Sequence, residues 1–258
     1  MALLEIRHLG IYFGGLRAVH DLNVTLQGGE LLGLIGPNGA GKTTVFNMVS
    51  GFYRPSAGEI LLEGRNIAGL STHKIAALGI ARTFQNIRLW NELTVFDNLG
   101  IAQHHSLGYG FWDAVLHNKS YRQNERRARK VTEELLELLG LHHCADEYPK
   151  NLPYGLQRRV EIGRALAVRP KVLLLDEPAA GMNPGDVEQL MELVRWIRQE
   201  FKLTIWLIEH QMRVVMGLCE YITVLDFGET IAEGTPDQVR QNPRVIQAYL
   251  GDEDVAHA

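Results

Sequence analysis

Short apolar runs bounded by polar or glycine-rich segments mark both ends of the chain. Leu31–Ile35, Val172–Asp176, Thr204–Ile208 and Tyr221–Leu225 have little alternation within them. Strands buried on both faces of a parallel sheet look like this. Leu3–Leu9, Glu59–Leu62 and Thr230–Glu233 add further strands. Helical stretches fall between the runs, which predicts an α/β sheet. The middle differs: from about Asn91 to Arg169 strand signals almost vanish. There Tyr121–Leu139 reads as a long charged helix with Val131, Leu135, Leu138 and Leu139 on one face, stopped by Gly140. Near the C-terminus, Gly228-Glu229 reads as a turn, and Thr235 with Pro236 as the N-cap and first position of a short helix.

Composition narrows the classes. The chain has 258 residues, 46% apolar and 22% charged, enough for a sizeable core. Thirty acids against twenty-six bases leave a net charge of −4, so no basic field points to nucleic acid. Two cysteines, Cys144 and Cys219, make no disulfide framework and fit a reducing compartment. The longest stretch without Asp, Glu, Lys or Arg, Asn98 to Trp112, is too short and polar to span a bilayer. Glu5 interrupts the N-terminus before a signal-like apolar core forms. The expectation is a cytoplasmic chain without a membrane span of its own.

Chemistry concentrates in two places. Gly36-Pro37-Asn38-Gly39-Ala40-Gly41-Lys42-Thr43 follows the strand Leu31–Ile35 and opens a helix predicted over Thr43–Ser50, with Thr44 in its first turn. Glycines at this spacing let the backbone N–H groups of Asn38 to Thr43 wrap a phosphate chain, and the helix N-terminus adds its dipole. Lys42 supplies charge to the β- and γ-phosphates, and the Thr43 hydroxyl is a Mg²⁺ ligand. Second, the run Val172–Leu175 ends in Asp176-Glu177. Asp176 can bind Mg²⁺ through water, and Glu177 can polarise the attacking water. Two acids could simply end a strand in solvent; beside the cradle they read as the parts of a nucleoside triphosphatase.

Over essentially its whole length the chain resembles the ATP-binding subunits of ABC transporters. Ala81-Arg-Thr-Phe-Gln85 stands where that family has its glutamine loop, and Leu207-Ile-Glu-His210 resembles its switch-histidine segment. The resemblance implies that Gln85 contacts Mg²⁺ and the attacking water and senses a transmembrane partner. It implies that His210 hydrogen-bonds the γ-phosphate beside Glu177, and that Phe13 of Tyr12-Phe13-Gly14 stacks on adenine. The signature segment departs from Leu-Ser-Gly-Gly-Gln: here it is Leu152-Pro153-Tyr154-Gly155-Leu156, with Glu161-Ile-Gly-Arg164-Ala-Leu166 fixing the register. Pro153 replaces a hydroxyl donor, leaving the helix start at Tyr154 and Gly155 to meet the γ-phosphate held by an opposite subunit. Asn183 stands where the family often has Asp. The implied fold is a P-loop NTPase (RecA-like) core, residues 1–90 and 170–258, with an N-terminal antiparallel β portion. An inserted α-helical subdomain, residues 91–169, carries the signature segment.

The resemblance also implies two such subunits sandwiching two ATP molecules, as a homodimer or as a heterodimer whose partner supplies a more regular signature. Separate permease subunits dock on the helical subdomain, a periplasmic binding protein acts indirectly, and no nucleic acid takes part. The chain then lies peripherally on the cytoplasmic side of the membrane. The basic run Lys119–Lys130 is a solvated helix face or a contact with lipid headgroups. Within the family the likeness is to branched-chain amino-acid uptake, carried by Arg82-Thr-Phe-Gln-Asn86, Tyr154-Gly155, Pro178-Ala-Ala-Gly181 with Asn183-Pro184, and Pro243–Gly251. The alternatives are the ATPase of a lipid or lipopolysaccharide exporter, a soluble ABC ATPase acting on nucleic acid or the ribosome, and a small-molecule kinase.

Overall fold

The computed structural model describes residues 2–103 and 119–255, except for the side chains of 119, 120 and 250–255. The chain forms two compact units, Met1–Arg82 with Lys171–Ala258, and Thr83–Pro170.

The first unit holds two sheets. β1 (Ala2–Phe13), β2 (Leu16–Gln27), β4 (Ala57–Leu62) and β5 (Arg65–Asn66) form an antiparallel sheet in the order β2-β1-β4-β5. The other sheet has the order β10-β9-β3-β8-β7-β6. Its strands are β3 (Leu31–Ile35), β6 (Ile80–Arg82), β7 (Val172–Asp176), β8 (Thr204–Ile208), β9 (Tyr221–Asp226) and β10 (Glu229–Gly234). Only β10 pairs antiparallel there. β3, β7 and β8 are buried at every position, which explains their unbroken apolar sequences. The core continues under the antiparallel sheet through Leu4, Ile6, Leu22 and Leu26 to Phe46 and Trp206, whose rings meet edge-on at 5.2 Å. Helices α1 (Lys42–Val49), α2 (Thr72–Leu78), α6 (Pro184–Glu200), α7 (Met212–Leu218), α8 (Pro236–Arg240) and α9 (Pro243–Val255) complete the unit. Thr235 and Gln238 close a capping box at α8.

The second unit is helical: α3 (Val95–Ile101), α4 (Lys119–Leu138) and α5 (Tyr154–Ala167), with short turns at His142–Cys144 and Pro149–Asn151. Gly140, at φ 68°, ends the run after α4, and Leu141 N–H bonds back to Leu136 O at 2.7 Å.

Three expectations need correction. β1 runs past Leu9 to Phe13, and β2, whose Leu22, Val24 and Leu26 alternate inward, was not anticipated as a separate strand. The buried stripe of α4 is Ala128, Thr132, Leu135 and Leu136, continued by Leu139 just past its end, while Leu138 is 44% exposed. The stripe can include a threonine because Gln103 Nε2 donates to Thr132 Oγ1 at 2.7 Å, satisfying both polar groups. Arg122, Arg126, Arg127, Arg129 and Lys130 are exposed, the last two pairing with Glu133 and Glu134 one turn on. His104, His105 and the rest of the uncharged stretch to Trp112 lie outside the described residues.

Candidate nucleotide site

The cradle is a strand–loop–helix. β3 delivers Ile35, the chain turns through Gly36, Gly39 and Gly41 at positive φ, and α1 starts at Lys42. Two of these glycines are sterically required. A Cβ on Gly36 would fall 2.0 Å from Leu225 O, and one on Gly41 2.5 Å from Ala18 O. α1 has no side-chain cap, so its first N–H groups face the loop. Buried Lys42 donates from Nζ to Gly36 O and Pro37 O, both at 2.7 Å. Its ammonium therefore sits under the loop, where phosphate oxygens can replace carbonyls as acceptors. Asn38, Gly39 and Thr43 are exposed, Ala40 is buried and Thr44 is half-buried.

β7 brings Asp176 and Glu177 to its carboxyl end, and β8 brings Glu209 and His210 beside them. Asp176 is ion-paired: Arg82 Nη2 meets its Oδ2 at 2.6 Å, with both side chains almost fully buried. Arg82 also donates from Nη1 to Asn47 Oδ1 at 2.8 Å and Ser50 Oγ at 3.0 Å, linking the acid to α1. Removing one partner of such a pair costs about 3–5 kcal/mol, because the other charge stays buried. Glu177 sits at φ +45°, a left-handed conformation unusual for a non-glycine residue. His210 Nδ1 lies 3.5 Å from Glu177 Oε2, so these two sequence-predicted groups come together.

Sequence reasoning missed Arg82 and Glu209. Fully buried Glu209 accepts N–H bonds from Ala179 at 2.8 Å, His210 at 3.1 Å and Gln211 at 3.3 Å. It thus fixes the His210 turn against the turn after Glu177. Burial pushes its carboxyl pKa up, and these N–H bonds pull it part of the way back. An acid just before the histidine, following an apolar strand, was the available signal.

Phe13 closes the β1–β2 hairpin, paired with Leu16 and 46% exposed, its ring edge-on to Tyr53 at 5.4 Å. Tyr12 is also exposed, at 42%. β2 passes the cradle at Ala18, the residue whose carbonyl crowds Gly41.

Gln85, Tyr154 and Gly155 belong to the second unit. Gln85 is exposed, and its carbonyl accepts from Arg158 Nη2 at 2.9 Å. α5 begins at Tyr154 after Pro153, which occupies the N-cap without a side-chain hydrogen bond. Leu156 and Gln157 N–H groups bond back to Pro153 O at 3.0 and 3.1 Å, leaving the Tyr154 and Gly155 N–H groups at the open end. Asn183 caps α6, accepting from Gly185 and Asp186 N–H at 3.0 Å each.

Known proteins give this geometry its class. The family model described as "ABC transporter" matches residues 19–180, and the chain belongs to that family: it is an ATP-binding, ATP-hydrolysing transporter subunit. A second model, "Branched-chain amino acid ATP-binding cassette transporter", matches residues 229–255. The chain is 45% identical to the high-affinity branched-chain amino acid transport ATP-binding protein BraF of Pseudomonas aeruginosa, over 97% of this chain and 98% of that one. It is 46% identical, with the same coverage, to the corresponding LivG of Escherichia coli K12. Among solved structures it superposes with a TM-score of 0.84 on the ADP conformation of MJ1267, an ATP-binding cassette of an ABC transporter. That match is 30% identical and covers 97% of this chain and 99% of the other. No helix among the described residues is long and apolar enough to cross a membrane.

Proposed function

We propose that this subunit drives import of branched-chain amino acids through separate permease subunits, lying peripherally on the cytoplasmic side of the membrane. The observation that carries the substrate class is the C-terminal match at residues 229–255, a region distinct from the ATPase motifs. An ATPase working on nucleic acid or the ribosome and a small-molecule kinase leave that match unexplained, while the lipopolysaccharide exporter's ATPase is the weaker likeness, 36% identical against 45–46%. A binding protein delivers the amino acid to the permease and never touches this chain.

In this reading the loop Gly36–Gly41 and the α1 N–H groups wrap the phosphates, and Phe13 stacks on adenine. Lys42 exchanges its loop carbonyls for β- and γ-phosphate oxygens. The hard oxygens of Thr43, Gln85 and Asp176 suit Mg²⁺, since a nucleotide-bound ion takes few protein ligands and several phosphate and water oxygens. When bound, Mg²⁺ neutralises charge building on the β- and γ-phosphate oxygens. Glu177 orients the attacking water and accepts its proton, and His210 steadies the γ-phosphate beside it. Arg82 keeps Asp176 aimed while α1 holds Arg82 in turn.

A second ATPase subunit, a different chain with a hydroxyl-bearing signature, completes this chain's site from the opposite side, and this chain's signature completes the partner's. The γ-phosphate bridges two surfaces, and its hydrolysis removes the bridge, so ATP turnover switches closed to open in the attached permease. The test is uptake of radiolabelled leucine, isoleucine and valine by cells deleted for this chain. Loss of uptake, restored by the wild-type gene and not by Glu177→Gln, is expected; unchanged uptake of all three overturns the reading.

A further inference from the structure

Between β6 and α3 the chain from Thr83 to Leu93 forms neither strand nor helix, so no ladder fixes the backbone that carries Gln85. Two side chains of α5 replace one. Arg158 and Glu161 are 0% and 1% exposed and pair Nη1 to Oε2 at 2.6 Å. Arg158 Nη1 also donates to Phe84 O at 2.8 Å and Nη2 to Gln85 O at 2.9 Å. Glu161 Oε1 accepts from Phe84 N–H at 3.3 Å. The pair therefore grips consecutive peptide groups of one loop from both their donor and acceptor sides. The Nη2 that holds Gln85 also donates to Tyr154 Oη at 3.1 Å, on the first residue of α5.

We propose that Arg158 and Glu161 are positioning residues that link the open end of the signature helix to Gln85, so that engagement of Tyr154–Gly155 by a nucleotide across the dimer is transmitted to the residue facing the permease. This rests on the functional reading above, which places a γ-phosphate at one end and a permease at the other. The physical argument is geometric. A guanidinium is a rigid planar fork, so Phe84 O, Gln85 O, Glu161 and Tyr154 Oη share one orientation. A shift of the Tyr154 hydroxyl turns the fork and moves the Gln85 carbonyl with it. A pair serving only to fill the helix core would spend its donors within the helix. This one spends them on the glutamine loop.

Arg158→Lys tests the link, because an ammonium keeps the charge beside Glu161 but cannot reach both carbonyls and the hydroxyl at once. Tyr154→Phe removes only the hydroxyl and decides the matter if the lysine variant folds poorly. Two measurements read the outcome, on the isolated full-length chain and on the transporter assembled with its permease and partner ATPase. Amide hydrogen exchange of residues 83–90 in the isolated Arg158→Lys chain is expected to quicken about tenfold or more, with affinity for a fluorescent ATP analogue within about twofold of wild type. In the assembly, the ratio of substrate-stimulated to basal ATPase is expected to fall about fivefold or more in Arg158→Lys and about twofold in Tyr154→Phe. A stimulation ratio unchanged in both variants overturns the proposal. So does a loss of nucleotide affinity or melting temperature in proportion to the lost stimulation, which marks a merely structural pair. If the wild-type assembly responds to another solute class and not to branched-chain amino acids, the functional reading fails while the fork is still tested on that solute.

Discussion

Two helices of this protein begin without a side-chain cap at places where phosphate is expected, and they differ in what surrounds the opening. α1 starts after three glycines at positive φ, with its own Lys42 ammonium tucked under the loop. α5 starts after Pro153, and its first cationic residue, Arg158, faces inward onto Phe84, Gln85 and Glu161. Both offer orphan N–H groups and the positive end of a helix dipole. Only α1 adds a fixed charge and an enclosing loop. In the proposed reading the first opening therefore holds a triphosphate alone, whereas the second contributes once the nucleotide is already held opposite it. That division suits a switch, since the weaker contact can be made and broken in each cycle.

The largest expected effect comes from separating holding from cleaving. Glu177→Gln keeps the cradle and removes the proton acceptor, so ATP still binds while hydrolysis falls by about 10²–10⁴-fold. With the γ-phosphate intact, both helix openings keep hold of it, and a lasting dimer on size-exclusion chromatography with ATP is expected. Normal hydrolysis by this variant contradicts the role given to Glu177. Lys42→Ala comes next: with the buried cation gone, nucleotide affinity measured by fluorescence is expected to drop about 100-fold. An equal loss on altering the start of α5 would erase the contrast between the two openings.

Phe13→Ala is a smaller change at the first opening. An exposed aromatic contributes about 0.5–1.5 kcal/mol by stacking, so ATP affinity is expected to fall by about two- to tenfold with turnover at saturating ATP retained. A matching loss from Tyr12→Ala, with Phe13→Ala silent, would assign the base contact to the neighbouring ring instead.

The contrast also explains what could be read along the chain. The Gly36–Thr43 loop and the apolar strands β3, β7 and β8 are local patterns: contiguous residues whose spacing states their geometry. β2 was less visible because Asp21, at φ 53°, breaks its rhythm, which leaves the alternation of Leu22, Val24 and Leu26 with polar Asn23 and Thr25 only five residues long. Arg82 and Arg158 could not be read as site residues, because their meaning lies in burial and in partners far away in sequence. Arg82 gains its place from Asp176, 94 residues on, and Arg158 from carbonyls 74 and 73 residues back. In a sequence the charge of such residues is indistinguishable from that of Arg122 or Arg126, which face solvent.

The finest test is Pro153→Ser, which gives the second opening the hydroxyl it lacks. A serine N-cap adds about 0.5–2 kcal/mol of helix stability by accepting a backbone N–H. Losing the proline ring returns about 0.4–1 kcal/mol of entropy to the unfolded chain. These terms oppose each other, so the melting temperature is expected to move by about 3 °C at most. A change in turnover then reports the new donor rather than a steadier fold. Turnover of the isolated chain at saturating ATP is expected to rise by about two- to fivefold, which is the low end of the net range of about 0.5–1.5 kcal/mol for one added hydrogen bond, as suits a group open to water. Mixed with a partner ATPase that already has a hydroxyl-bearing signature, the site completed by that partner is expected to gain nothing. No gain in the isolated chain would mean that the Tyr154 and Gly155 N–H groups already suffice, and the case for an unlike partner subunit would go with it.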